Sequence, residues 1–130
     1  MPAGILALAK SASLKNLEEI ILNKNAIKNK GLQHLATSKN FVKLKSLKAG
    51  DVSIGDLAVK MLVLSQNLKN LEELHLNGNS ITREGLEFLQ GTPNLCALKK
   101  IDLRRNQFLY EDCTFLADSP RFKNMEVVRF

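Results

Sequence analysis

The chain has 130 residues, 45% apolar and 25% charged, which is the balance of one globular domain long enough to bury a core. Two cysteines exclude a disulfide framework, and no apolar run approaches the ~20 residues a membrane-spanning helix needs. The formal charge of +6 is uneven: residues 1–65 carry ten lysines and four acids, while residues 66–130 carry nine charges of each sign.

The apolar fraction is dominated by one side chain. There are 23 leucines, seven aromatic residues and no tryptophan, which points to one packing slot used repeatedly. In chain order, residues 1–16 come first. Met1 to Ala9 has the apolar character of a short signal peptide but no basic flank. Its GILALA occupies the same slots as the later GLQHLA and GLEFLQ, so the spacing predicts the helical half of a broken repeat. Then come KNLEEIILNKNAI, VKLKSLKAGDVSI, KNLEELHLNGNSI and CALKKIDLRRNQF, whose first aligned leucines are Leu17, Leu44, Leu71 and Leu98, always 27 apart. An incomplete copy begins at Met125.

Each unit has two halves. The Leu-x-x-Leu-x-Leu segment alternates, which predicts a short strand with Ile20, Leu47, Leu74, Ile101 and Val128 in one core column and Leu22, Ala49, Leu76, Leu103 and Phe130 in the next. After a turn closed by Ile27, Ile54, Ile81 and Phe108, apolar residues recur at helical spacing. Leu8, Leu35, Leu62, Leu89 and Leu116 are expected in the core, beside Ile5, Leu32, Val59, Leu86 and Cys113. Thr82 is a predicted helix N-cap. One strand and one helix cannot bury their apolar faces alone, so copies must stack.

The run Leu71-x-x-Leu74-x-Leu76-x-x-Asn79-x-Ile81, followed by Gly85-Leu86-x-x-Leu89, resembles a leucine-rich repeat, and the long helical half resembles the ribonuclease-inhibitor-like branch that includes Ran GTPase-activating proteins, nucleotide-binding immune receptors and tropomodulins. The resemblance implies an α/β leucine-rich-repeat solenoid: a curved, right-handed stack of strand–helix units with a parallel sheet on the concave face. One domain is expected over 1–130, with a partial repeat 1–16, full repeats from 17, 44, 71 and 98, and a partial repeat from 125. It also implies an asparagine ladder at Asn25, Asn79 and Asn106, each side chain satisfying backbone groups at the strand-to-turn corner. Val52 stands in that column and cannot donate, so its turn is expected to be remodelled or hydrated.

Catalytic chemistry is hard to assemble from these residues. His34 and His75 fall in different columns, no His, Cys or carboxylate spacing reads as a metal site, and there is no phosphate-binding glycine loop. The expectation is no enzyme, no cofactor, no metal and no small-molecule substrate. Binding is expected on the strand face. The column Glu18, Lys45, Glu72, Lys99, Glu126 alternates in sign and predicts a ladder of ion pairs. The less regular positions Glu19, Ile21, Lys48, Glu73, His75, Lys100, Asp102, Arg104 and Arg129 are the candidate partner-binding residues, all expected to be accessible. The helices, with Gln33, Lys60, Glu87 and Thr114, are expected to face solvent.

The reading is a protein–protein interaction module or scaffold. Its alternatives are a small-GTPase regulator like the Ran GTPase-activating branch, or a binder of an acidic partner through the basic first half. Nucleic acid or acidic membrane, suggested by Lys39, Lys43, Lys45 and Lys48, ranks below these for want of aromatic stacking partners. Few cysteines and no Asn-x-Ser/Thr sequon lean to a cytoplasmic setting. With no polar capping unit in the pattern, the chain is expected to be part of a larger chain, to rest on a neighbour, or to self-associate end to end.

Overall fold

A computed structural model describes residues 2–130; Met1, in the expected partial repeat 1–16, lies outside the described residues. The chain runs α1 (Pro2–Lys10), β1 (Glu19–Ile21), α2 (Lys28–Thr37), β2 (Ser46–Lys48), α3 (Asp56–Leu64), β3 (Glu73–His75), α4 (Arg83–Gly91), β4 (Lys100–Asp102), α5 (Tyr110–Ala117), α6 (Pro120–Lys123) and β5 (Val127–Arg129). The five strands form one parallel sheet in sequence order. Every registered pair, such as Ile20 with Leu47 or Leu74 with Ile101, is 27 residues apart, so the sequence period is the sheet register. Consecutive helices pack side by side behind the sheet. The architecture is the α/β solenoid of strand–helix units that the repeat predicts.

The apolar columns meet between the two layers. Leu44, Leu47, Leu62, Leu71, Leu74, Leu76 and Leu86 are wholly buried. Each such side chain contributes roughly 1.5–3 kcal/mol relative to exposure. The columns loosen in the outermost units, which have a packed unit on one side only among the described residues. Leu8, expected in the core, is exposed, as is Phe130, whose ring meets Phe108 edge-on at 6.3 Å. Cys113 is only half-buried, not sealed in the core. Burial, followed by the adjacent Asp112 charge, holds its thiol pKa above the ordinary value.

Two polar ladders join the units. At the strand-to-turn corner, Asn79 Nδ2 donates to the carbonyls of Leu76 (3.0 Å) and Ala49 (2.9 Å), while its Oδ1 accepts from the N–H groups of Val52 (3.1 Å) and Ile54 (3.3 Å). Asn106 repeats this toward Leu76, Leu103 and Ile81. Asn25 donates to Leu22 and Asn23 but is itself exposed, because no unit lies in front of it among the described residues. At Val52 the turn is remodelled. Elsewhere the later unit donates to the earlier, Ser80 N–H to Ile54 and Gln107 N–H to Ile81; here the sense reverses, and Lys28 N–H donates to Val52. Lys28 and Ser53 take left-handed φ of 62° and 64° to allow it.

The second ladder was not anticipated from the sequence. Ser38, Ser65 and Thr92, again 27 apart, donate through their hydroxyls to the carbonyls of Ala9, Ala36 and Val63 at the C-terminal ends of the preceding helices. Asn40 and Asn94 add a second bond to Ala9 and Val63. These bonds satisfy terminal helix carbonyls that lack intrahelical partners. In the last copy Arg121 takes the asparagine's column, and its guanidinium donates to the carbonyls of Thr92, Asn94 and Leu95.

Candidate functional site

Because side chains alternate along a strand, burying Ile20, Leu47, Leu74 and Ile101 turns the residues on either side of them onto the opposite, outward face of the sheet. On β1, Glu19 and Ile21 point outward, and Ile21 is 58% exposed. On β2, Lys48 is half-buried and lies 3.2 Å from the Glu19 carboxylate. On β3, Glu73 and His75 are half-buried and held together, with His75 Nε2 3.1 Å from Glu73 Oε1. That hydrogen bond is the leading reason the Glu73 pKa lies below the ordinary carboxylate value, against an opposing contribution from burial. On β4 and β5, Lys100 and Arg129 are exposed.

Asp102 departs from expectation: only 5% of it is exposed. It lies in register between His75 and Arg129, and Arg104 folds over it. The guanidinium donates through Nε to Oδ1 (3.0 Å) and through Nη2 to Oδ2 (2.7 Å), and the Arg104 backbone N–H reaches Oδ1 at 3.1 Å. The side-chain bonds are the largest influence holding the Asp102 pKa down, with burial opposing. Asp102 is therefore a fixed part of the sheet, and Arg104 is its exposed cover.

The alternating charge column forms a ladder in part. Glu18 pairs with Lys45 at 3.6 Å and Glu72 with Lys99 at 3.8 Å, whereas no Lys45–Glu72 or Lys99–Glu126 pair is seen among the described residues. With both partners about half exposed, such pairs are worth at most about 1 kcal/mol. At the far end of the sheet, Glu73, His75, Lys100, Ile101, Asp102, Val127 and Arg129 line a cavity of about 170 Å³. The asparagines Asn25, Asn79 and Asn106 lie off this face, at the turn corner.

The helical side is less uniformly polar than expected. Lys60 and Glu87 are exposed, but so are Leu57 and Leu64 of α3, at 53% and 59%. Among the described residues no group of three His, Cys, Asp or Glu could hold a metal ion, and no helix is long and apolar enough to cross a membrane.

Comparison with known proteins matches two stretches, residues 13–36 and 67–89, to the family model described as "Leucine Rich repeat". No curated protein matches the sequence. Among solved structures, "Leiomodin-1 Actin-Binding Site 2 (ABS2)" aligns over 97% of this chain and 76% of its own, with 14% identity and a TM-score of 0.72. An internalin from Listeria monocytogenes aligns over 92% of this chain and 36% of its own, with 24% identity and a TM-score of 0.53.

Proposed function

We propose that this leucine-rich-repeat chain is a protein-binding module that meets its partner on the concave strand face. The observation that carries the reading is the outward face of the sheet: side chains that differ from unit to unit, including the 58%-exposed Ile21, held at fixed spacing on a stack whose backbone is bonded from unit to unit. A partner meets that surface with little ordering cost on this side. A segment of like fold named for binding actin is an instance of the same architecture with a protein ligand. We take residues 1–130 as one domain with repeats beginning at Leu17, Leu44, Leu71 and Leu98, and its exposed free thiol at Cys96 suits a cytoplasmic setting.

Nothing favours a GTPase-regulating role. The two arginines at the rim are engaged, Arg104 with Asp102 and Arg105 with Asp51 at 2.9 Å. Of the ten lysines in the basic first half, three are engaged within the chain: Lys43 donates to Asn16, and Lys45 and Lys48 pair with Glu18 and Glu19. The test compares proteins retained from the native source by the wild-type chain, by an Ile21→Asp/Lys48→Glu/His75→Ala variant, and by a helical-side variant, Lys60→Glu/Glu87→Lys. Loss of the partner with the first variant alone supports the strand face. Loss with the second alone overturns it.

A further inference from the structure

The candidate partner-binding residues are not electrostatically equivalent once their internal pairs are counted. On the sheet face Glu18, Glu19 and Glu72 are each matched by a lysine and Asp102 by Arg104, while Glu73 shares a hydrogen bond with His75. Among the described residues, neither Lys100 nor Arg129 forms an ion pair at contact distance, although Lys100 stands near enough to Glu73 to help hold that carboxyl's pKa down. They stand on neighbouring strands, with Lys100 in register with Val127 and Asp102 with Arg129, and both line the 170 Å³ cavity. The two acids of that cavity, Glu73 and Asp102, are already bonded within the chain. What the cavity still offers is hydrogen-bond donors on positive charges, beside the apolar wall of half-buried Val127.

On the strength of the strand-face reading, we propose that the cavity between β3, β4 and β5 is an anion subsite that receives an acidic side chain of the protein partner, a glutamate or aspartate carboxylate held between Lys100 and Arg129. An arginine fork matches a carboxylate's two oxygens in one plane, and a lysine adds a point charge beside it. The methylenes of a glutamate find Val127. The cavity's volume suits one such side chain rather than a folded surface. Glu126, exposed just before β5 and also near Lys100, sets the limit on that side: it repels a second acid and so favours an isolated acidic residue over a dense acidic run.

The test titrates the isotope-labelled chain at low salt with an N-acetylated peptide amide carrying one glutamate flanked by leucine and serine, with the same peptide carrying glutamine, and with a short oligothymidylate. Amide shifts centred on Lys100, Asp102, Val127 and Arg129 are expected with the glutamate peptide and not with the glutamine one. Lys100→Gln/Arg129→Gln should weaken the response about tenfold or more, with the rest of the spectrum and the thermal midpoint unchanged. Lys43→Gln/Lys45→Gln, which lie outside the cavity and the candidate partner-binding set, should leave it within about twofold. The assignment is overturned by the absence of shifts, by equal shifts with glutamine, by an unaffected double variant, or by tighter binding of the oligothymidylate at the same residues. A native partner that needs Ile21, Lys48 and His75 but ignores Lys100→Gln/Arg129→Gln overturns this subsite alone. Partner loss with the helical-side variant only, while the peptide still answers at Lys100 and Arg129, overturns the strand-face reading alone.

Discussion

The side-chain oxygen of Asn79 accepts the backbone N–H of Val52 at 3.1 Å, and Val52 occupies, one repeat earlier, the column in which Asn79 stands. The ladder is thus supplied from the following unit: a missing asparagine leaves its own turn satisfied and shifts the deficit to the turn before. There, Asn25 bonds Leu22 within its own turn, and Ile27 N–H falls back on the carbonyl of Asn25.

Asn79→Ala should therefore be costly and Asn25→Ala mild. The first strands the buried Val52 and Ile54 N–H groups and the Ala49 carbonyl, for a loss of about 3 kcal/mol in denaturant unfolding. The second removes two bonds made by an exposed side chain and should cost under about 1 kcal/mol. Equal losses at the two sites would contradict the ladder's direction.

Restoring the repeat pattern with Val52→Asn should destabilise. Val52 is wholly buried, and the groups an asparagine would serve already have partners in the remodelled turn. An amide buried without partners costs about 1–3 kcal/mol. A gain in the midpoint of chemical denaturation would show that the turn reverts readily to the repeat geometry.

Leu62 lies in the middle of the helical core column and is wholly buried. Leu62→Ala should cost about 2–5 kcal/mol, transfer and cavity contributions together. Leu8→Ala, in the same column but exposed, should cost under about 1 kcal/mol by the same unfolding measurement.

These contrasts show what the sequence makes legible. A period of 27 fixes register, because strands at equal spacing can pair only with their own positions, and the buried columns follow from Ile20 to Ile101. Where a column ends is a property of neighbours, so Leu8 and Asn25 carry core residue types in exposed places. Asp102 reads as an outward strand position, and its burial depends on Arg104 turning back over it, a rotamer choice that spacing does not encode. The column Ser38, Ser65, Thr92 was there to be found, since hydroxyls at the repeat period just after a helix mark carbonyls in need of donors. Which outward residues touch a partner is not encoded in periodicity at all, because each varies independently of the core.

Acid should weaken the fold partly through Asp102. Its folded pKa is depressed, so the Asp102–Arg104 contribution is fully present above the unfolded carboxylate value of about 4 and is lost as pH falls through the lower folded value. Arg104→Ala, which removes the cover over a buried carboxylate, should lower stability at neutral pH. Its stability should fall less steeply between pH 5 and 2 than wild type, to about the same value at the acid end. Parallel stability–pH curves for the two proteins would contradict this.

The most direct measurement of the strand-face claim is methyl cross-saturation in the complex with the native partner. Ile21 projects from the sheet face, whereas Leu57 and Leu64 are the exposed apolar side chains on α3. Irradiating the protonated partner should attenuate the Ile21 methyl signals and leave those of Leu57 and Leu64 unchanged. Attenuation at Leu57 and Leu64 with Ile21 untouched would place the partner on the helical side and contradict the account.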